Sequence, residues 1–279
     1  MSDTPSPAVN HARVKGYYDQ LHEFYDTIFE ETGYYNLGWL PDGVRSDYAT
    51  GQKSLVSLVT GSLQVSAGGR LLEIGCGQGA PALQAARESG ALVIGLELLS
   101  SQLKSCRKKQ HDNLQFIRGD ACSLPFTDSS FDGIYSIESA FHYGDKAAFI
   151  QEVARVLKPG SFVAIADIVA TESSRKTKSL RAMERIAGAA EFFQVSQYLT
   201  AANNAGLELV RNEDITPGVS KSFRNTAWRT LKHWKSLRKS FPIWKLDAII
   251  TITLLHRYFY RWLPVRYQLL VFTKHSDNS

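Results

Sequence analysis

One short run limits the fold of this chain more than any other: residues 70–80 read RLLEIGCGQGA. An apolar segment is interrupted by an acid, Glu73, and leads into a turn with glycine at alternate positions. Glycine lets the backbone adopt conformations closed to other residues and come close to a ligand. Since a helix-forming stretch follows, the first N–H groups of that helix would face the same ligand. The run predicts a strand–turn–helix unit that binds a nucleotide-type cofactor.

The acid before the turn discriminates between cofactors. The spacing of Gly75, Gly77 and Ala80 satisfies the dinucleotide fingerprint. A carboxylate at Glu73, however, would repel a pyrophosphate. S-adenosyl-L-methionine (SAM) carries no phosphate, but it has a sulfonium and an α-amino group, which an acid attracts. We therefore expect SAM, and we interpret Cys76 inside the turn as a small side chain that fits there.

Two further predicted strands end in side chains that a SAM site needs. Residues 91–97 (ALVIGLE) predict the second strand, and its final acid, Glu97, can accept hydrogen bonds from both ribose hydroxyls. Residues 114–121 (LQFIRGDA) predict the third strand, with Asp120 placed to accept from the adenine amino group. Both acids fall at strand ends, where parallel sheets bind their ligands.

Strands and helices continue to alternate along the chain. A fourth strand is predicted at 132–138 and a fifth at 161–168, with a helix between them that stops at the sequence LKPG, residues 157–160. This alternation predicts a parallel sheet with helices on both faces. Helices are expected at 11–31, 47–66, 79–89, 99–110, 145–157, 172–190 and 195–205, and later strands at 207–215 and 266–273.

In order and spacing, these motifs resemble class I SAM-dependent methyltransferases, over residues 14–274. The resemblance implies a Rossmann-like α/β fold: a seven-stranded, mostly parallel sheet whose last strand runs antiparallel, with an N-terminal helical cover and a C-terminal helical lid. In such enzymes an N-terminal helix folds over SAM, and a tyrosine of that helix contacts the methionine end. Here that tyrosine is expected to be Tyr17 or Tyr18, with Tyr25 as the next candidate. The residues expected around SAM are Tyr17, Tyr18, Glu73, Gly75, Cys76, Gly77, Gly79, Glu97, Leu98, Asp120, Ala121 and Glu138.

The resemblance also predicts how the chain is divided. Residues 1–13 are expected to be a disordered N-terminus, and 14–66 a helical cover. The SAM-binding core is expected at 67–220, a basic, aromatic helical lid at 221–265, and the last strand and tail at 266–279.

The resemblance places the segment after the fourth strand, 137–143 (IESAFHY), against the transferred methyl group. It narrows there to small-molecule methyltransferases of specialised metabolism. Rebeccamycin-type sugar O-methyltransferases have a similar Glu-Ser segment followed by histidine. Phthiotriol dimycocerosate methyltransferases look similar at 118–126 and 267–274, but their histidine falls one position before His142, so its role does not transfer one to one.

Histidine titrates near neutrality and suits a general base that takes the proton of a hydroxyl acceptor. We predict His142 as this base, with Asp167 at the end of the fifth strand as its orienting carboxylate. Substrate contacts are expected from Trp39, Phe141 and Tyr143. In the alternative of C-methylation through a carbocation, these aromatic side chains would replace the base. His142 could instead only shape the pocket, and Asp167 could cap a turn.

The segment 221–266 differs from the rest of the chain in charge. It contains eleven Lys or Arg and one acid, Asp247, and so carries about +10. Subtracting this from the +5 of the whole chain leaves about −5 for the remainder. Three interpretations stay open: a helical lid, a membrane-surface helix and an RNA-binding face. Its aromatic residues include Trp228, Trp234, Trp244, Tyr258, Phe259, Tyr260 and Trp262.

Composition limits the class of protein and its location. The three cysteines, Cys76, Cys106 and Cys122, form no CxxC motif and are typical of free thiols in a reducing compartment. The first residues are polar, without an apolar export segment. We expect a cytoplasmic enzyme, with peripheral membrane contact under the second interpretation above. No ligand spacing predicts a metal site.

Two function classes follow. The first is a methyltransferase for a lipophilic small molecule, most simply a hydroxyl or phenol, without a nucleic-acid partner. The second is a methyltransferase for RNA or protein that binds its substrate through the basic segment. The sequence shows no appended recognition module, which such an enzyme would usually carry. A homo-oligomer formed through the N-terminal helix is compatible with either class.

Overall fold

The computed structural model of this chain describes residues 7–29, 33–41, 44, 47–109, 111–174 and 177–275. Its seven strands form one sheet in the order β3-β2-β1-β4-β5-β7-β6. The first five strands pair in parallel, and β7 runs antiparallel to both of its neighbours. The predicted sheet is confirmed. The strands are Arg70–Ile74 (β1), Leu92–Glu97 (β2), Leu114–Arg118 (β3), Phe131–Ile137 (β4), Leu157–Ala170 (β5), Leu207–Asp214 (β6) and Val265–Lys274 (β7).

The helices cover both faces of this sheet. Short 3-10 turns at Ala140–His142, Glu172–Ser174 and Tyr260–Trp262 supplement them. The α-helices are Pro7–Phe29 (α1), Tyr48–Gly61 (α2), Ala80–Ser89 (α3), Ser100–Cys106 (α4), Lys146–Val156 (α5), Lys178–Ile186 (α6), Val195–Asn204 (α7), Thr216–Lys232 (α8), Trp234–Leu237 (α9) and Ile243–Phe259 (α10).

The central strands are buried on both faces because apolar layers cover each side. On one face, Phe149 and Val153 of α5 and Tyr198 of α7 pack against the sheet. On the other, α2, α3 and Val219 of α8 form a second layer, with Leu55 of α2 fully buried. Burial of this kind contributes about 25 cal/mol per Å² of apolar surface and fixes the strand ends that carry the site.

A third apolar cluster lies away from the sheet and joins the two ends of the chain. Phe24 and Ile28 of α1 pack there with Leu237, Phe241 and Leu246 from the α9–α10 region. The N-terminal helix is therefore held by the basic C-terminal segment, although the two are separated by more than 200 residues.

Three expectations about individual elements are wrong. The disorder expected for 1–13 is contradicted from residue 7 onward, because α1 begins at Pro7; residues 1–6 lie outside the described part. The helix predicted over 172–190 is a 3-10 turn followed by α6, which begins at its N-cap Thr177. The helix predicted over 99–110 ends at Cys106. No described helix is long and apolar enough to cross a bilayer.

Candidate active site

The glycine turn after β1 fixes the floor of a cleft at the carboxyl ends of the strands. The amides of Gly75 and Cys76 both donate to the carbonyl of Leu96, at 2.9 and 3.0 Å, which ties the turn to the end of β2. Gly75 has φ +75°, and a Cβ there would lie 1.8 Å from Oγ of Ser139. Glycine is required at this position by both conformation and space.

Gly77, two residues further, has the opposite surroundings. Its φ is +53°, and nothing lies within 4 Å of the position a Cβ would take. That space is part of the cleft, and Gly77 is one of the residues that line it. The turn thus presents bare backbone to the cleft.

Most of the predicted site residues come together on the walls of this cleft. Tyr17, Gly79, Trp39, Phe141 and Asp167 are not among the residues that line it. Those that do are Tyr18, Glu73, Gly75, Cys76, Gly77, Glu97, Leu98, Asp120, Ala121, Glu138, His142 and Tyr143.

Sequence reasoning missed several lining residues. The wall also contains Asn10 and Val14 of α1, and Gly33, Tyr35 and Asn36 from the segment after it. The helical spacing of Asn10, Val14 and Tyr18, at intervals of four, is the signal that could have identified this face of α1. The further residues are Ile74, Gln78, Pro81, Leu96, Gln102, Gly119, Ile137 and Ser139.

Among the residues predicted to bind the cofactor, Glu97 at the end of β2 has well-defined hydrogen-bond partners. Its Oε1 accepts from the amide of Leu99 at 2.8 Å, and its Oε2 accepts from the amide of Gly77 at 3.0 Å. A carboxylate has about four acceptor sites, so capacity remains for two ribose hydroxyls. Burial raises the pKa of Glu97 to about 7. This side chain connects the turn, the strand end and the cleft.

Glu73 and Glu138 are two further buried carboxyl groups at the cleft. Tyr135 donates to Glu73 at 3.3 Å, and burial raises the pKa of Glu73 well above its ordinary value. Glu138 has φ +49° and accepts from the amide of Leu37 at 2.6 Å and from the hydroxyl of Tyr267 at 2.8 Å. Burial raises the pKa of Glu138 to about 8.

Asp120 lies where the predicted adenine contact was expected, and α1 reaches it. Nε2 of His11 is 2.6 Å from its Oδ2, while its Oδ1 accepts from the amide of Cys122 at 2.9 Å. One oxygen is thus held by the backbone of its own turn, and the other faces α1. The N-terminal helix therefore covers the Asp120 end of the cleft as well as its centre.

His142 is buried at the opposite end, between α1 and the segment after α6. Its Nδ1 is 2.9 Å from the carbonyl oxygen of Gly188, and its Nε2 is 3.2 Å from the hydroxyl of Tyr18. Burial lowers the pKa of His142 to about 3. Arg13 donates to the carbonyls of both His142, at 2.7 Å, and Gly188. Arg13 therefore fastens α1 to the two residues that position the imidazole.

The predicted pairing of His142 with Asp167 is wrong. Asp167 accepts from the amide of Ile168 at 2.9 Å and from the hydroxyl of Tyr198 at 3.3 Å, on the side of the sheet that α7 covers. Burial raises its pKa to about 7, against the lowering effect of the Lys146 charge. Because Asp167 points into this layer, the carbonyl of Gly188 holds the imidazole instead.

The predicted substrate contacts, Trp39, Phe141 and Tyr143, and the predicted SAM contact Tyr17 are not placed as expected. Trp39 packs against Gly218 of α8, and Phe141 packs against Phe192, with ring centroids 5.9 Å apart. Tyr143 lines the cleft, but its hydroxyl donates into the core, to the carbonyl of Ile74 at 3.1 Å. The hydroxyl of Tyr17 pairs with that of Tyr25 at 2.9 Å. Trp39, Phe141 and Tyr17 therefore lie outside the cavity lining, which includes Tyr143 and Tyr18 of α1.

The segment 221–265 does not form a lid over this cleft. None of its described residues lines the cavity, and its inner side packs on α1 instead. Within the described ranges, no group of three or more His, Cys, Asp and Glu could hold a metal ion.

Topology and cleft define a Rossmann-like α/β protein that binds a nucleoside-type cofactor at the ends of its parallel strands. Residues 72–165 match the family model of a methyltransferase domain. Methyltransferase GfsG of Streptomyces halstedii is 34% identical over 211 residues, covering 73% of this chain and 75% of that protein. For 27-O-demethylrifamycin SV methyltransferase of Amycolatopsis mediterranei, identity is 29% over 219 residues, covering 76% and 79%.

The fold is also that of a solved structure, the cyclopropane synthase MmaA2 of Mycobacterium tuberculosis. The TM-score is 0.82 at 18% identity, over 98% of this chain and all of that one (100%). The chain belongs to the SAM-dependent methyltransferases. It is an enzyme, and its cofactor is SAM.

Proposed function

We propose that this enzyme transfers the methyl group of SAM to a hydroxyl or phenol oxygen of a lipophilic small molecule, with His142 as the general base. The observation that carries the proposal is the contact of Nε2 of His142 with a hydroxyl group, that of Tyr18, at 3.2 Å. An acceptor hydroxyl in the position of the Tyr18 hydroxyl would lie within hydrogen-bond distance of the same nitrogen. General-base catalysis requires this kind of contact.

The partner of Nδ1 decides which nitrogen can act. The carbonyl of Gly188 can only accept a hydrogen bond, so Nδ1 carries the proton and Nε2 keeps its lone pair. Burial, which lowers the pKa of His142 to about 3, keeps the imidazole neutral at physiological pH. A neutral imidazole with a bare Nε2 is the form that can take a proton.

Each remaining residue at the cleft has a separate task. When bound, SAM supplies an electrophilic methyl group on a sulfonium centre. Glu97 would hold the ribose hydroxyls and Asp120 the adenine amino group, beside the bare backbone of Gly77. His142 would accept the hydroxyl proton at Nε2 as the oxygen–carbon bond forms. The cover by α1 would exclude water and hold the two reactants in line.

The acceptor class is inferred from the lining of the cleft and from relatives. Among the described residues that line it, there is no Lys or Arg to hold a phosphate or carboxylate. An uncharged acceptor fits such a wall better than an anionic one. A similar protein is named for methylation of 27-O-demethylrifamycin SV. A small, uncharged, hydroxylated natural product is the acceptor we expect.

C-methylation is the second candidate, and Glu138 is the observation in its favour. Its carboxyl group is buried at the cleft wall and is held by Leu37 and Tyr267. Such a group could stabilise a carbocation and take the proton lost from carbon. Trp39 and Phe141, which the sequence suggested for this chemistry, lie outside the cleft.

The test compares His142→Gln and His142→Ala with the control His275→Ala, which alters an exposed histidine paired with Glu208. The reaction uses ¹³C-methyl SAM and a panel of uncharged hydroxylated acceptors. Both His142 variants should lower kcat by roughly 10²–10⁴-fold. SAM affinity, measured by calorimetry, should change by less than about twofold, because His142 contacts the acceptor side. Full activity of either variant would exclude His142 as the base.

The position of the label separates the alternatives. A ¹³C methoxy signal in the product supports O-methylation. A carbon-bound methyl signal would instead support C-methylation with Glu138. Transfer to RNA or protein, with none to any small molecule, would overturn both.

A further inference from the structure

The C-terminal helices expose large aromatic side chains, which are usually buried in a folded protein. Trp228 on α8, Trp244 on α10 and Trp262 after it are 68%, 67% and 76% exposed. Tryptophan is among the most buried side chains on average, and it is enriched where an apolar region meets water, as at a membrane surface. Large exposed apolar side chains of this kind mark a candidate contact surface for another molecule or a membrane.

Two of these tryptophans border one groove. Leu231 and Ile250 line a surface groove between the α8–α9 region and α10, together with Lys232 and Asp247. Trp228 precedes Leu231 by three positions, and Trp244 precedes Asp247 by three. Residues at that spacing are neighbours on a helix surface, so each tryptophan lies one turn from the groove.

We call this region the tryptophan face: the groove between α8 and α10 with Trp228 and Trp244 beside it. Exposed apolar residues extend it along α10, since Ile243 is 58% and Leu255 is 42% exposed. The opposite side of the same helices is already used, because Leu246 packs on α1. The fold thus leaves the tryptophan face uncovered while it buries the other side.

Positive charge surrounds the tryptophan face. Lys235, Arg238 and Lys239 are exposed in the α9–α10 connection, and Nζ of Lys245 lies 5.7 Å from the ring centroid of Trp244. The one acid of segment 221–266 is Asp247, so the segment carries about +10 while the rest of the chain carries about −5. This asymmetry complements an extended negative surface rather than a single anion.

We propose that the tryptophan face docks the enzyme onto an anionic lipid surface. Basic residues near such a surface are attracted by its potential, and tryptophan and aliphatic side chains enter the headgroup region. Leucine and isoleucine beside the tryptophans favour lipid over RNA, because RNA offers bases and phosphates rather than an apolar layer. The opposite side of α10 packs on α1, which covers the cleft, so a docked enzyme would have α10 between the bilayer and that cover.

The test is flotation of the full chain with vesicles of phosphatidylcholine, with or without phosphatidylglycerol. We expect binding only with phosphatidylglycerol, and a decrease as salt is raised. The charge variant is Lys235→Glu/Arg238→Glu/Lys239→Glu. Its control, Lys104→Glu/Arg107→Glu/Lys108→Glu at the end of α4 and just after it, makes the same change in net charge at exposed residues elsewhere. The charge variant should lose roughly fivefold in affinity per residue, and the control much less.

A second variant, Trp228→Ala/Trp244→Ala, keeps the charge constant. It should bind the same vesicles at least roughly fivefold more weakly, because two interfacial side chains are removed. Retained SAM affinity, measured by calorimetry, shows that each variant is folded. Equal vesicle binding by this variant and the unmodified enzyme would overturn the proposal, and so would complete displacement of vesicles by an equal charge of RNA. No acceptor is needed, so this outcome is independent of the proposed function.

Discussion

The two walls of the cleft are built from the chain in different ways. The wall that we propose for the cofactor, called the cofactor wall, comes from one continuous stretch, 73–121, in which the glycine turn and the strand ends follow one another. The wall that we propose for the acceptor, called the acceptor wall, combines α1, the turn around His142 and the carbonyl of Gly188. Arg13 and Gly188 are 175 residues apart, and Arg13 holds these parts together through backbone carbonyls.

This difference predicts different responses to mutation. The cofactor wall depends on backbone shape at single positions, which one added atom can destroy. The acceptor wall depends on the docking of a helix, which loosens gradually as contacts are removed. The predictions that follow test this contrast, from the largest expected effect to the smallest.

Gly75→Ala should cause the greatest loss. The new Cβ would lie 1.8 Å from Oγ of Ser139, which is itself 2.8 Å from the hydroxyl oxygen of Tyr143, so the turn must move. A displacement of this order costs roughly 100-fold, here in SAM affinity measured by calorimetry. The control is Gly160→Ala, which has a similar φ of +74° but open space around it. Equal effects of the two variants would mean that backbone strain alone, and not the close approach, matters.

Glu97→Gln tests the electrostatics of the same wall. Burial raises the pKa of Glu97 from 4.5 to about 7, so in this window the folded state holds a proton that the unfolded chain has released. The free energy of unfolding should therefore fall as pH rises from 4.5 to about 7, by on the order of 3 kcal/mol from this group. Thermal unfolding of the variant should depend less steeply on pH over that window.

The same variant should bind SAM roughly tenfold more weakly, since a charged acceptor of the ribose hydroxyls is lost. Glu208→Gln, at an exposed carboxyl group, is the control for both measurements. An unchanged pH dependence of unfolding would show that Glu97 is already ionised in the folded protein.

Arg13→Ala tests the acceptor wall. The variant loses the hydrogen bonds to the carbonyls of His142 and Gly188, so α1 should cover the imidazole less tightly. We expect kcat/KM to fall roughly tenfold. Burial and the Arg13 charge both lower the pKa of His142, so this pKa should rise in the variant. The acid limb of the pH–rate profile should therefore move to higher pH.

Lys15→Ala is the matched control, because Lys15 is exposed on α1 and pairs with Asp19. It should leave both the rate and its pH profile unchanged. A pH profile of Arg13→Ala that matched the unmodified enzyme would show that α1 covers the imidazole without this residue.

The contrast between the walls also explains what the sequence could predict. The first five strands, the glycine turn and the placement of Glu97 and Asp120 in the cleft follow from local pattern, because a strand and its following turn fix both backbone and direction. The environment of His142 does not follow from local pattern. No local pattern indicates that a carbonyl at Gly188, 46 residues later, orients the imidazole, or that Asp167 faces α7 instead.

Trp39→Phe should have the smallest effect on catalysis, although the sequence suggested Trp39 as a substrate contact. Its ring lies against Gly218 of α8, where a Cβ on the glycine would approach it to 2.5 Å. We expect KM and kcat to change by less than about twofold, and the free energy of unfolding to fall by about 1 kcal/mol from the smaller ring. Gly218→Ala, which presses on the same ring from the other side, should also lower stability without altering KM. A rise in KM of roughly tenfold in Trp39→Phe alone would instead place the acceptor against this ring, and would extend the acceptor wall to the segment that follows α1.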